Sequence, residues 1–294
     1  MGGGNPMELK KHRHIVSEKV PAVAMILWMG AGLFVMIVFG TLLSSFAARF
    51  IPLPQTMVID IINSCLFILF LFFFKWWYRP EYKGIFAASI PLGLVLVYCA
   101  PRVLFSIGGA ISSLIKSHGR YAVLMEFFTG SVFSGIGEEA LFRGVTIPVG
   151  MRYMKSKHKV WISLIMTSAI FGISHIFNIL AGADPVNALS QAFTTTCSGL
   201  YYGVLLLCTG SIVPGMACHA LHNTITHIVR PELASGVDTV RKTLANIVIN
   251  DAIALLLCLI ALYILRRTGI HQIERIWQKK WGIENHPDDS DTLS

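Results

Sequence analysis

The sequence predicts an all-α membrane protein, a polytopic bundle of about eight transmembrane helices. Two observations carry that expectation. Of the 294 residues, 54% are hydrophobic and only 14% are Asp, Glu, Lys or Arg, and mean hydropathy is +0.64; soluble domains rarely reach such values. The second observation is length. A helix needs roughly 20 apolar residues to cross a bilayer, and apolar runs of about that size occupy 20–48, 57–74, 84–106, 121–142, 160–180, 186–209, 211–229 and 244–265. Between Pro185 and Val229 no Asp, Glu, Lys or Arg occurs, and the turn-forming residues of 210–215 divide that stretch into two spans.

The first run follows a basic start, as a signal peptide would, yet it extends to about 29 residues without a small-residue cleavage site. It reads as a retained span. Gly2 is followed by Pro6 where N-myristoylation wants Ser or Thr, so no lipid is expected there. The net charge of +8 raises the question of a nucleic-acid partner. Distributed over alternate loops, however, 17 Lys and Arg fall on the side of both termini and 6 on the other, with Arg102 inside the third span. That asymmetry is the positive-inside rule. It places both termini in the cytoplasm, in what is expected to be a bacterial cell membrane, and the lipid bilayer rather than nucleic acid accounts for the charge. The six cysteines, Cys65, Cys99, Cys197, Cys208, Cys218 and Cys258, lie in apolar spans with no C-x-x-C pair, and read as buried apolar side chains.

Three regions follow: a basic cytoplasmic segment at 1–19, the membrane domain at 20–265 and a tail at 266–294. In the tail, Ile273, Ile276, Trp277 and Trp281 alternate with basic residues, as in a helix lying on a membrane surface. The acidic end, with Asp288, Asp289 and Asp291, is expected to be disordered.

Charged side chains inside spans cost about 2.5–3.5 kcal/mol each on insertion scales, so those present need a reason. Asp60 and Asn63 in the second span and Arg102 in the third read as residues facing the bundle interior, with Asp60 and Arg102 as a possible pair. A denser group begins at the fourth span, where the chain reads GEEALFRG. Glu139 and Arg143 are four apart and can pair on one helical face, leaving Glu138 about 100° away without that partner. The bland alternative is a charged helix end at the interface. The fifth span carries Phe171 and His175 on one face with Asn178 a turn further, and the seventh repeats His219, Asn223 and His227 every four residues beside His222. One such stripe is ordinary packing between helices. Three together imply a site inside the bundle. Continuing the fourth helix to Met151 puts Glu138 about 21 Å from its cytoplasmic end, close to the about 22 Å of His175 from Val160, although Pro148 interrupts such a helix.

Glu138-Glu139-x-x-x-Arg143, Phe171-x-x-x-His175 and His219-x-x-x-Asn223, in that order on separate spans, resemble the three signature motifs of the CPBP (ABI) family of intramembrane proteases. That family includes the type II CAAX prenyl endopeptidases and proteins of bacteriocin processing and self-immunity. The likeness covers about 120–230 and implies an endopeptidase core there. It implies catalytic roles for Glu138, His175, His219 and Asn223. Glu138 is the base that activates water, His175 holds the same water, and His219 with Asn223 faces the oxyanion. Glu139, Arg143 and Phe171 support them. The implied partner is a membrane-associated peptide or a prenylated CAAX-type protein, with Phe171, Phe177 and Phe193 compatible with a prenyl chain. Glu138, His175 and His219 are also ligand types used by catalytic zinc, but no H-E-x-x-H is present. The reading favoured is therefore a glutamate mechanism with no cofactor. Zinc-dependent hydrolysis by the same residues, a non-catalytic bacteriocin-immunity protein and an ion-path transporter are its alternatives.

Overall fold

The structure, a computed structural model, describes residues 15–47, 49–51, 55–73, 121–229 and 242–281, and every element among them is helical. In chain order these are α1 (Ile15–Lys19), α2 (Pro21–Val35), a π-helical turn (Met36–Gly40), α3 (Thr41–Ala47), α4 (Gln55–Phe73), α5 (Tyr121–Phe142), α6 (Thr146–Tyr153), α7 (Lys159–Ile176) with a 3₁₀ turn at Phe177–Ala181, α8 (Pro185–Thr209), α9 (Val213–Val229), α10 (Leu244–Thr268) and α11 (Ile270–Trp281). Helices occupy every predicted span except 84–106, which lies outside the described residues together with Arg102. Four of them, Pro21–Ala47, Lys159–Ala181, Pro185–Thr209 and Leu244–Thr268, are long and apolar enough by themselves to cross a membrane.

Local chemistry sets the limits of α8, the helix at the centre of the bundle. Asp184 caps its start, accepting hydrogen bonds from the amides of Val186 at 3.0 Å and Asn187 at 3.1 Å, and Pro185 occupies the first position, where no amide is needed. Gly210 closes the other end at φ 68°, a conformation costly for any residue with a Cβ. Around α8 pack α7, α9 and α10. The largest cluster of buried side chains joins Ile147, Leu164, Tyr201, Tyr202, Leu205, Leu257 and Ala261. Leu255, Leu256 and Leu259 of α10 and Ile26, Leu27 and Phe34 of α2 remain exposed, an apolar outer surface suited to lipid rather than water.

The fourth span does not continue as one helix to Met151. After Phe142 the chain turns through 143–145, with the amides of Arg143 and Gly144 both donating to the carbonyl of Glu139 at 3.0 Å. Pro148 then falls in the first turn of α6, where its missing N–H costs nothing. The depth of about 21 Å derived for a continuous helix does not apply.

The basic tail segment forms α11, reached through Gly269 at φ 80°. Its apolar stripe meets protein: Ile273 and Trp277 are buried against the bundle, and the Trp277 indole donates to the Leu207 carbonyl at 3.1 Å. Lys159 and Glu274 form an ion pair at 3.1 Å. Lys280 is buried as well, donating to the Gly210 carbonyl, and burial pulls its ammonium from 10.5 down to about 7. A lysine with a depressed folded value takes up a proton on release, so docking of α11 weakens as pH falls from about 10.5 to about 7 and is flat below. Trp277 emission followed against denaturant at pH 7 and pH 10 should show tighter docking at the higher pH. Lys280→Met should abolish the difference.

Candidate active site

Four helices supply the site. α5 brings Ser134, Glu138 and Glu139, with Arg143 in the turn that follows; α7 brings Phe171 and His175; α9 brings His219 and Asn223; and α8 adds Tyr202. The approach of α5 to α9 depends on Gly135, because a Cβ there would stand 2.6 Å from the Ala220 amide nitrogen. Only a glycine lets the carboxylates of α5 reach the imidazole next to Ala220.

Glu139 and Arg143 pair as their spacing predicts, at 2.8 Å, with side chains 1% and 0% exposed. The same carboxylate oxygen, Oε1, also accepts from His219 Nδ1 at 3.0 Å. The Arg143 guanidinium lies 4.0 Å from the centroid of Phe171 and 5.6 Å from that of Tyr202, so aromatic faces stand where water would otherwise solvate it. A Cβ at Gly199 would collide with its Nη2 atom, which makes that glycine part of the arginine pocket. His219 is stacked on Tyr202 at 5.1 Å between centroids and meets the edge of Phe171 at 5.7 Å.

Glu138 has a different setting. Its side chain keeps 31% exposure against 1% for Glu139, so water can reach one of the adjacent glutamates and not the other. Ser134 donates to Glu138 Oε1 at 2.9 Å, and His219 Nε2 faces Oε2 at 3.7 Å. The imidazole therefore stands between the two glutamates. Donation from Nδ1 to Glu139 orients the ring and turns Nε2 toward Glu138.

His175 is fixed from within its own helix. Its Nδ1 lies 2.9 Å from the Phe171 carbonyl, an acceptor only, so Nδ1 carries the proton and Nε2 is left as an acceptor. Its ring meets the edge of Phe171 at 5.1 Å. Glu138, His219 and Arg143 are ionisable side chains near enough to act on it. Asn223 follows His219 by one turn of α9 and is half-buried. Asn178 is diverted: the 3₁₀ turn points it at α8, where its amide donates to Gln191 at 3.1 Å. Phe177 and Phe193 are exposed on the outer surface, while Phe171 is buried. Cys218 is buried in the main core cluster.

The zinc alternative needs Glu138, His175 and His219 to converge. Among the described residues no three His, Cys, Asp or Glu side chains do so at ligand distance, although both histidines are engaged through Nδ1 and keep Nε2, the arrangement a ligating histidine would also have. No catalytic step is therefore derived through a metal.

Ser134 and Tyr202 were not singled out in the sequence. A serine four residues before a glutamate on a helix is a usable signal for the first. Nothing local marks the second.

Residues 120–225 match the family model described as type II CAAX prenyl endopeptidase Rce1-like. This segment, about a third of the chain, is similar to the Rce1-like family. No curated protein and no solved structure matches it. The Rce1-like segment runs from the start of α5 to Ile225 and contains every side chain of the site just described. α10 and α11, which buttress α8 from outside, follow it.

Proposed function

We propose that this protein is an intramembrane endopeptidase in which Glu138 activates water against a peptide bond of a membrane-associated peptide or a prenylated CAAX-type protein. The observation that carries the reading is the setting of Glu138. It is the one carboxylate of the pair open to water, and Ser134 holds one of its oxygens while His219 faces the other. Glu138 takes a proton from water, and the hydroxyl adds to the carbonyl carbon. His175 accepts a hydrogen bond from the same water at Nε2. In its imidazolium form His219 presents Nε2–H to the developing oxyanion, with the Asn223 amide as the second donor. Glu138 then passes its proton to the leaving nitrogen as the C–N bond breaks. Glu139 and Arg143 take no part in bond making. They hold the imidazole and balance its charge.

The test is cleavage of quenched-fluorescent peptides, farnesylated and unmodified, by the purified protein in detergent. Preference for the farnesylated peptide supports a CAAX-type substrate, and cleavage of neither, with tight binding of a peptide toxin, would turn the reading toward immunity. Exhaustive chelation should leave turnover unchanged. Loss on chelation with recovery on added zinc would establish the zinc mechanism instead.

The proposed topology has eight spans, both termini cytoplasmic and the 231–243 loop on the far side, because the basic residues divide 17 to 6. Reporter fusions at Leu293 and Ser235 should lie on opposite sides. Reporters on the same side would rule out the eight-span arrangement.

A further inference from the structure

We propose that Asp60 is a second carboxyl group of the same centre, acting through Glu138 as its partner in proton transfer. The inference rests on the peptidase reading above. Asp60 lies in α4, outside the Rce1-like segment, and an acidic side chain within an apolar helix is expensive unless it is used. The register of α4 on α5 says where it stands. Ser64 donates to the Phe133 carbonyl and lies 2.9 Å from where a Cβ on Gly137 would be; Phe67, three residues on, stands 3.0 Å from the same point and packs in one cluster with Ala140 and Leu141. The two helices therefore advance in the same direction along this contact. Asp60 precedes Ser64 by one turn on the same face, which places it level with the turn of α5 that ends in Ser134. The carboxylate of Glu138 is held at that level, bonded to the Ser134 hydroxyl. Asp60 and Glu138 are close enough to interact by charge.

Proton balance gives a second carboxyl group a role. Peptide hydrolysis ends as a carboxylate and an ammonium, so both protons of the attacking water finish on nitrogen. The first passes through Glu138 as the C–N bond breaks, which leaves Glu138 ionised again. The second leaves the O–H of the new carboxylic acid for Glu138, and Asp60 shares it with Glu138 until the amine takes it, so that both carboxyl groups end in the state in which they began. Among the described residues, Glu138 and Glu139 from α5, Arg143 from the turn after it, His175 from α7 and His219 from α9 are the titratable and charged groups at the centre it joins.

The experiment measures kcat, KM, the pH–rate profile and detergent-solubilised Tm for the full chain and for Asp60→Asn, Asp60→Ala, Asp60→Glu and Glu138→Gln on one fluorogenic peptide. Asp60→Asn should lower kcat at least about tenfold with KM within about twofold and Tm unchanged. Its acid limb should be displaced, Asp60→Glu should restore the wild-type profile, and added formate should raise turnover by Asp60→Ala. A kcat for Asp60→Asn within about twofold of wild type overturns the inference. So does a loss that follows Tm and is rescued by neither glutamate nor formate, or failure of both truncations to fold, which would assign Asp60 to helix packing. A slow Glu138→Gln beside a normal Asp60→Asn sinks this inference alone. Wild-type protein that cleaves nothing sinks the peptidase reading and this inference with it.

Discussion

Glu138→Gln should lower turnover by about 10²–10⁴-fold, the range for loss of a general base, and leave the fold intact. The substitution keeps the size of the side chain and an oxygen for the Ser134 hydroxyl, and the position is 31% exposed, so no charge is stranded when the carboxylate is lost. His219 keeps its bond to Glu139. The expected signature is a collapse of kcat with little change in KM and an unchanged Tm. His175→Ala should resemble it, since it removes the acceptor that holds the same water. Near-normal cleavage by Glu138→Gln would mean that another group activates the water, and the mechanism proposed here would fall.

Glu139→Gln should behave differently although its neighbour is chemically identical. Glu139 Oε1 takes hydrogen bonds from both Arg143 and His219, and the guanidinium it neutralises is fully buried, with its Nε and Nη2 atoms finding no hydrogen-bond partner among the described residues. Removing the negative charge leaves a buried cation, and breaking such a pair typically costs about 3–5 kcal/mol. The expected result is a large fall in Tm and yield, with activity lost in the same proportion. The double variant Glu139→Gln with Arg143→Met should recover much of the stability, because no charge is then left unpaired. If the single variant melts like wild type, the buried pair does not hold this part of the bundle together. Activity that falls while Tm stays constant would assign Glu139 to the chemistry through His219.

The two glutamates also show where sequence reading stops. The pairing of Glu139 with Arg143 was legible, because a separation of four residues on a helix fixes a contact with no knowledge of any other element. The tie between His175 and the Phe171 carbonyl is of the same kind, contained in one turn of α7. Apolar composition and run length were enough to require a helical membrane protein, since a bilayer leaves the backbone few ways to satisfy its hydrogen bonds. The limits of α8 could be read as well, from Asp184, Pro185 and Gly210.

Contacts between elements could not be read in this way. That His219 stands between Glu138 and Glu139 depends on how closely α5 approaches α9, which Gly135 permits but does not announce. Tyr202 stacks on that imidazole from a helix whose other residues at that level are ordinary core. The apolar face of α11 could have served lipid or protein equally well, and only the Leu207 and Gly210 carbonyls at the end of α8 decided for protein. Sequence by itself determined the class of fold, the local pairs and the residue types of the site, because helix periodicity and the cost of burying charge act over a few residues. Tertiary structure alone decided which nitrogen faces which carboxylate and which glutamate meets water, because those depend on where separate helices lie against one another.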